Sequence, residues 1–148
     1  MDGYREGITE AGGEFLDNET QYANATADLA VTAMEGIMSK YPDGVAIICS
    51  NNDDMALAAA RTAKENPAYA KTIFLGFDGQ KSACEAVAAG ELTMTAAQNN
   101  FDIGYKAVET MVKILNGEQY DKVVDTGTEI ITKDTADARL AKFDEWMK

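Results

Sequence analysis

Val45-Ala46-Ile47-Ile48-Cys49-Ser50-Asn51-Asn52-Asp53-Asp54-Met55-Ala56-Leu57-Ala58 passes from an unbroken apolar run, through polar residues, to helical spacing. The run reads as a strand covered on both faces. Asp53 or Asp54 can cap the helix that follows, which carries Met55, Ala59 and Thr62 on one side. Asn66-Pro67 stops that helix, and Thr72-Ile73-Phe74-Leu75 reads as the next strand. Gly76 to Gly79 reads as a turn, followed by a helix to Ala89 that Gly90 punctuates. Leu92 to Ala97 is a third strand. The helix after it has Ile103, Ala107, Val108, Met111 and Leu115 at helical spacing and ends at Asn116-Gly117. Glu129-Ile130-Ile131-Thr132 is a last short strand. A closing helix from Asp134 sets Ala136, Leu140, Phe143 and Met147 on its buried face. Working backward from Val45, the turn Tyr41-Pro42-Asp43-Gly44 follows a helix over 24–40, capped by Asn24 or Thr26, with Ala30, Ala33, Met34 and Ile37 on one face. A further helix covers 2–12. This alternation of strand and helix predicts an α/β fold around a parallel sheet with right-handed crossovers.

Composition fits a folded domain. The chain has 148 residues, 46% hydrophobic and 26% charged, with Gly 12 and Pro 2, which excludes collagen-like and disordered classes. No run approaches the roughly 18 apolar residues of a membrane-spanning helix. Lys+Arg 13 against Asp+Glu 25 gives a net charge of −12. A surface that acidic repels phosphate backbones and argues against nucleic acid as a partner of this segment. Cys49 and Cys84 make no disulfide framework and read as two buried thiols. With no histidine in the chain, a zinc site is not expected.

In open parallel sheets, ligands bind beyond the carboxyl ends of the strands. Ser50-Asn51-Asn52-Asp53-Asp54 follows the first strand, Gly76-Phe77-Asp78-Gly79 the second and Gln98-Asn99-Asn100 the third. Each end carries amides or carboxylates, and none carries a phosphate-binding glycine loop or a cation. An amide donates and accepts on one planar group, and a carboxylate accepts twice, which suits vicinal hydroxyls. The same residues also cap helices and make turns, so Asp53 and Asp54 fit capping as well as ligation. Phe77 and Tyr22 are candidate stacking surfaces for the apolar face of a sugar ring, against simple packing. An enzyme is not expected. No cofactor fingerprint is present, neither cysteine has an evident base, and a hydrolase would rest on Asp53, Asp54 and Asp78 alone.

Pro42-Asp43-Gly44, Asn52-Asp53-Asp54-Met55-Ala56-Leu57-Ala58, Gly76-Phe77-Asp78-Gly79, Glu85-Ala86-Val87-Ala88-Ala89-Gly90-Glu91-Leu92 and Ala97-Gln98 occur in this order. Together they resemble successive signatures of the type I periplasmic sugar-binding proteins of ABC importers, of the ribose- and galactose-binding kind. The resemblance covers nearly the whole chain. It implies a three-layer α/β sandwich with a mainly parallel sheet, the C-terminal lobe of a two-lobed protein that closes on a monosaccharide. Asn52, Asp78 and Gln98 fall on the family's sugar-binding positions. Ala58 stands where the family often has Gly. Gly3-Tyr4 resembles the end of an Arg-x-x-Gly-Phe motif whose arginine would precede Met1. Tyr22 is an imperfectly spaced match to a family aromatic.

On this reading the chain corresponds to the C-terminal portion of such a protein, without the N-terminal lobe and the first strand of the C-terminal lobe. Residues 1–98 would form most of that lobe, 99–125 would pack on the other lobe, and 126–148 would supply a last strand and helix. The implied partners are a monosaccharide, an ABC permease, and the N-terminal lobe or a second copy of this chain; no cofactor is implied. The location implied is the periplasm or cell surface, as an exported protein, a lipoprotein being one form of it. Met1-Asp2-Gly3-Tyr4 has no signal-peptide character, so a cytosolic chain or a start other than the gene product's own are the two readings of that end. The alternative is the effector-sensing half of a lactose-repressor-type transcription regulator. The acidic balance and the ending Thr126-Gly127-Thr128-Glu129-Ile130-Ile131-Thr132 favour the importer.

Overall fold

A computed structural model describes residues 1–146. The order is α1 (Asp2–Glu10), α2 (Ala27–Lys40), β1 (Ile47–Cys49), α3 (Asp53–Ala63), β2 (Ile73–Asp78), α4 (Lys81–Ala89), β3 (Met94–Gln98), α5 (Asn100–Leu115), β4 (Thr128–Ile131) and α6 (Ala136–Trp146), with short 3-10 turns at Asp17–Glu19 and Pro67–Tyr69. The four strands form one sheet in the order β1-β2-β3-β4. β1, β2 and β3 are parallel, and β4 runs antiparallel to β3 with Thr95 opposite Ile131. The sheet is therefore mixed and mostly parallel.

Burial alternates along the strands, as a pleated sheet with one covered face requires. Phe74, Gly76, Thr95, Ala97 and Ile131 are buried, whereas Leu75, Phe77, Met94 and Ala96 are half-buried and Ile130 is exposed. The covered face meets a continuous helical layer: α3 packs on β2, α4 on β3, α2 on α3 and α6 on α4. Small residues allow this closeness. Ala56, Ala59, Ala60, Ala63, Ala83 and Ala86 are buried between the helices and the sheet, around Met34, Val87 and Leu92. Among the described residues no helix packs extensively on the second face, where Leu75, Phe77, Met94 and Ala96 are half-buried.

Several boundaries shift for physical reasons. The first strand was expected over Val45–Cys49 and covered on both faces. It spans only Ile47–Cys49, is half-exposed and lies at the sheet edge, where one flank has no ladder partner. β2 runs on through Gly76 to Asp78, so the turn is confined to Gly79-Gln80. Asn52, not Asp53 or Asp54, caps α3 by accepting the Met55 N–H at 2.9 Å. Thr26 stands at the start of α2 without a side-chain cap bond. Met147, expected on the buried face of α6, lies outside the described residues.

α5 stands apart. None of its residues is buried, it packs extensively on no other element, and its apolar face is open to solvent, Val108 at 66% and Leu115 at 78% exposure. The sequence places an amphipathic helix here, and the described residues supply nothing to cover it.

The turn after β2 depends on one glycine. Gly79 has φ +69°, and a Cβ there would lie 2.1 Å from Ala97 Cβ on β3. Gly79→Ala is expected to destabilise the fold by about 2 kcal/mol or more, from left-handed strain and forced separation of the turn from β3. Urea denaturation measures it; a loss under about 0.5 kcal/mol would show that the turn re-forms without that approach.

Candidate functional site

Because β1, β2 and β3 are parallel, their carboxyl ends share one edge of the sheet, and this edge gathers the polar residues. β2 ends on Asp78 and β3 on Gln98. Gln98 Nε2 donates to Asp78 Oδ1 at 2.6 Å, a charge-assisted pair between neighbouring strand ends. Asp78 has φ +113°, an unusual backbone for a residue with a side chain, and it is followed by Gly79 in the left-handed region. Its carboxylate keeps acceptor capacity beyond the bond to Gln98, and the Gln98 Oε1 accepts no bond among the described residues.

Phe77 and Gln98 line an open cleft of about 590 Å³ together with Ile103, Val123, Val124 and the segment Asp125–Thr128. Asp78 and Asn52 are not among the residues lining this cleft; Phe77 and the Gln98 amide within it can stack on a polyol's carbon face and bond its hydroxyls. Asn52 lies beyond β1 on the same edge. Its Oδ1 caps α3, and its Nδ2 donates to the Ala25 carbonyl at 3.2 Å. That second bond ties the strand end to the loop before α2, which carries two left-handed residues, Asn24 and Ala25. Tyr22, in the same loop, is 88% exposed and is not among the residues lining the cleft with Phe77.

Asp53 takes a different place from the one the sequence suggested. It is fully buried, beneath the site instead of in it. Thr95 Oγ1 donates to its Oδ1 at 2.6 Å and the Gln80 N–H to its Oδ2 at 2.7 Å, while the Gly79 N–H donates to Thr95 Oγ1 at 3.3 Å. One carboxylate thus joins the start of α3, the middle of β3 and the turn that presents Asp78. Gly76 makes room for it, since a Cβ there would sit 2.3 Å from Asp53 Oδ1. Burial pushes the Asp53 carboxyl above its ordinary range, and the bonds from Thr95 and Gln80 only partly offset this. As a direct ligand contact Asp53 is out of reach here, and as a helix cap it is replaced by Asn52.

Two supporting residues were not anticipated. Thr95 gives no sequence signal beyond a polar residue inside a strand. Arg139 is 2% exposed, donates to the Gln98 carbonyl at 2.9 Å, and lies over the rings of Phe143 and Trp146. Its signal was available: it falls within the apolar stripe of α6, between Ala136 and Phe143, where a charge needs a buried partner. Its ion pair with Glu129 and the Gln98 carbonyl supply that partner.

Among the described residues no group of three or more His, Cys, Asp or Glu side chains is placed to hold a metal ion. Nor is any helix long and apolar enough to cross a membrane. Burial raises the thiols of Cys49 and Cys84 to about 11, well away from nucleophile chemistry at neutral pH.

A family model described as a periplasmic binding protein domain matches residues 1–119. The chain belongs to this family. The Ribose import binding protein RbsB of Escherichia coli is 33% identical over 103 residues, which cover 70% of this chain and 34% of that protein. A solute-binding protein of an ABC transporter from Mycobacterium smegmatis, solved with bound glycerol, superposes with a TM-score of 0.79 at 29% identity, over 93% of this chain and 47% of its own. The Caulobacter myo-inositol binding protein, with myo-inositol bound, gives 0.81 at 26%, over 95% and 49%. The chain therefore spans between a third and a half of these relatives. All three are named as binding proteins and none as an enzyme, in keeping with the non-catalytic reading.

The Asp53 bridge yields two expectations. Thr95→Val leaves a buried carboxylate oxygen without its donor and should cost about 1–3 kcal/mol in chemical denaturation. The raised carboxyl means that the folded state holds this proton more tightly than the unfolded chain. Its stabilising contribution is complete below the unfolded carboxylate range and is lost as pH rises through the raised folded value. Asp53→Asn should therefore show a shallower fall of the unfolding midpoint with rising pH than the parent. Parallel slopes would show that Asp53 does not titrate in the fold.

Proposed function

We propose that this chain is the C-terminal lobe of an exported sugar-binding protein that serves an ABC importer. It holds a monosaccharide at the carboxyl ends of β1, β2 and β3. The observation that carries this is the Asp78–Gln98 pair at adjacent strand ends, whose Gln98 lines an open cleft with Phe77. Asn52 would complete the hydrogen-bonding set once its amide exchanges the Ala25 carbonyl for a hydroxyl. Tyr22 is the further stacking candidate, able to reach the ligand only by movement of its loop. Asp53 acts from beneath, holding the turn that presents Asp78. Relatives named for ribose and myo-inositol support a polyol ligand with vicinal hydroxyls. The family supports a periplasmic or cell-surface location, with lipid anchoring as one form of it.

In this reading the lobe supplies one wall of a two-walled site. It forms about half of the ligand's hydrogen bonds and so binds weakly by itself. Titration of isotope-labelled protein with D-ribose and myo-inositol is expected to shift the amides of Asn52, Phe77, Asp78 and Gln98 only at millimolar sugar. Asp78→Ala should remove those shifts. Micromolar affinity would refute the one-wall reading, and shifts elsewhere would refute the site.

Residues 99–125 fit as the surface that meets the partner lobe. The exposed side chains Phe101, Tyr105, Val108, Met111 and Leu115 form an apolar stripe that water contacts at a cost. The isolated chain is expected to bind the dye ANS and to self-associate through α5, with light scattering rising with concentration. A stable, dye-negative monomer would remove this assignment.

A further inference from the structure

The cleft that Phe77 and Gln98 line has a donor and acceptor balance of its own. Asp125 lines it too, with the hydroxyls of Thr126 and Thr128, and no Lys or Arg is among its lining residues. The Asp125 Oδ1 accepts the Gly127 N–H at 2.8 Å, which fixes the carboxylate, and Oδ2 accepts no bond among the described residues. Asp125 also enters no ion pair among those residues.

Gln98 spends one of its two side-chain N–H groups on Asp78 at 2.6 Å, so a single N–H remains against its own unbonded Oε1. Asp78 stands behind that amide, outside the lining, and its negative charge reaches the cleft from there. The threonine hydroxyls serve either way. The unspent side-chain capacity of the cleft is therefore mostly acceptor, and its formal charge is negative. Neighbouring cations do not reverse this. Arg139 is 2% exposed, bonded to the Gln98 carbonyl and paired with Glu129. Lys106, one turn along α5 from the lining residue Ile103, is paired with Glu109.

We infer, on the polyol reading of this site, that the cleft takes a polyol bearing a protonated amine and that Asp125 is the residue that selects it. An ammonium offers three donors and no acceptor, the complement of what the cleft leaves unspent. A hydroxyl in the same place satisfies one acceptor and brings an acceptor of its own. A phosphate or carboxylate meets Asp125 and Asp78 with no cation to pair with, at a cost in both desolvation and repulsion. The Phe77 ring draws a cation to its face as readily as it covers a carbon skeleton. Asp125 is exposed, so water and salt hold the preference to a modest size.

Three forms of one ring make the test: myo-inositol, its aminodeoxy analogue and its monophosphate, titrated into isotope-labelled chain at low salt and about pH 6.5, where the amine is protonated. The amine is expected to shift the Phe77, Gln98 and Gly127 amides with half-saturation about fivefold below that of myo-inositol. The monophosphate should leave them unmoved. Asp125→Asn keeps the acceptor for the Gly127 N–H and should bring amine and neutral polyol within about twofold of each other. On the parent chain, salt at about 0.5 M should close the gap to a similar degree. Equal responses to amine and neutral polyol overturn the inference and leave the sugar reading standing. An amine advantage that survives Asp125→Asn overturns the role given to Asp125. Ethanolamine acting at the same concentration as the amino polyol overturns the polyol class, because any cation would then serve. Unmoved amides with all three forms and with D-ribose remove the sugar reading, and this inference with it.

Discussion

The Asp53 carboxylate sits where three parts of the chain must agree. It starts α3, receives the Thr95 hydroxyl from β3, and receives the Gln80 N–H from the turn after β2. Water is excluded from it, so each missing donor would leave an oxygen unpaired in a medium that punishes unpaired charge. Much of the surrounding sequence follows from that requirement. Gly76 is glycine because a side chain would strike Asp53, and Gly79 is glycine because a side chain would strike Ala97. The Gly-Phe-Asp-Gly segment is therefore as much a packing solution as a binding one. The two roles meet in a single turn: the bonds that satisfy a buried carboxylate also fix the direction of Asp78.

Arg139 does the corresponding work from the other side of β3. It lies over the rings of Phe143 and Trp146 and is bonded to the Gln98 carbonyl, so the strand end that bears the amide is anchored to α6. The site residues hold little structure themselves. Their geometry is inherited from a buried acid and a buried cation, Asp53 and Arg139.

This division explains what could be read from the sequence. Strand runs, helix faces and strand-end amides depend on local pattern and neighbouring residues, and they were legible. The terminal strand Thr128–Ile131, the exposed stripe of α5 and the position of Gln98 follow from that pattern. What was not legible depends on long-range pairing. Whether Asn52 or Asp53 caps α3 is decided by Thr95, 42 positions away from Asp53. Whether β1 is central or marginal is decided by which strands flank it, and apolar residues read alike in both settings. The second face is a like case: Leu75, Phe77 and Met94 mark a face that can be buried, without saying by what.

Asp78 carries a consequence for how this protein can change. Its backbone lies at φ +113°, in territory that glycine occupies freely and aspartate occupies only under constraint. Substitution by glycine would relieve the strain, yet it would delete the carboxylate that pairs with Gln98. Stability and recognition thus pull in opposite directions at one position. A screen that rewards heat tolerance alone should drift toward glycine here and select a firmer, emptier protein.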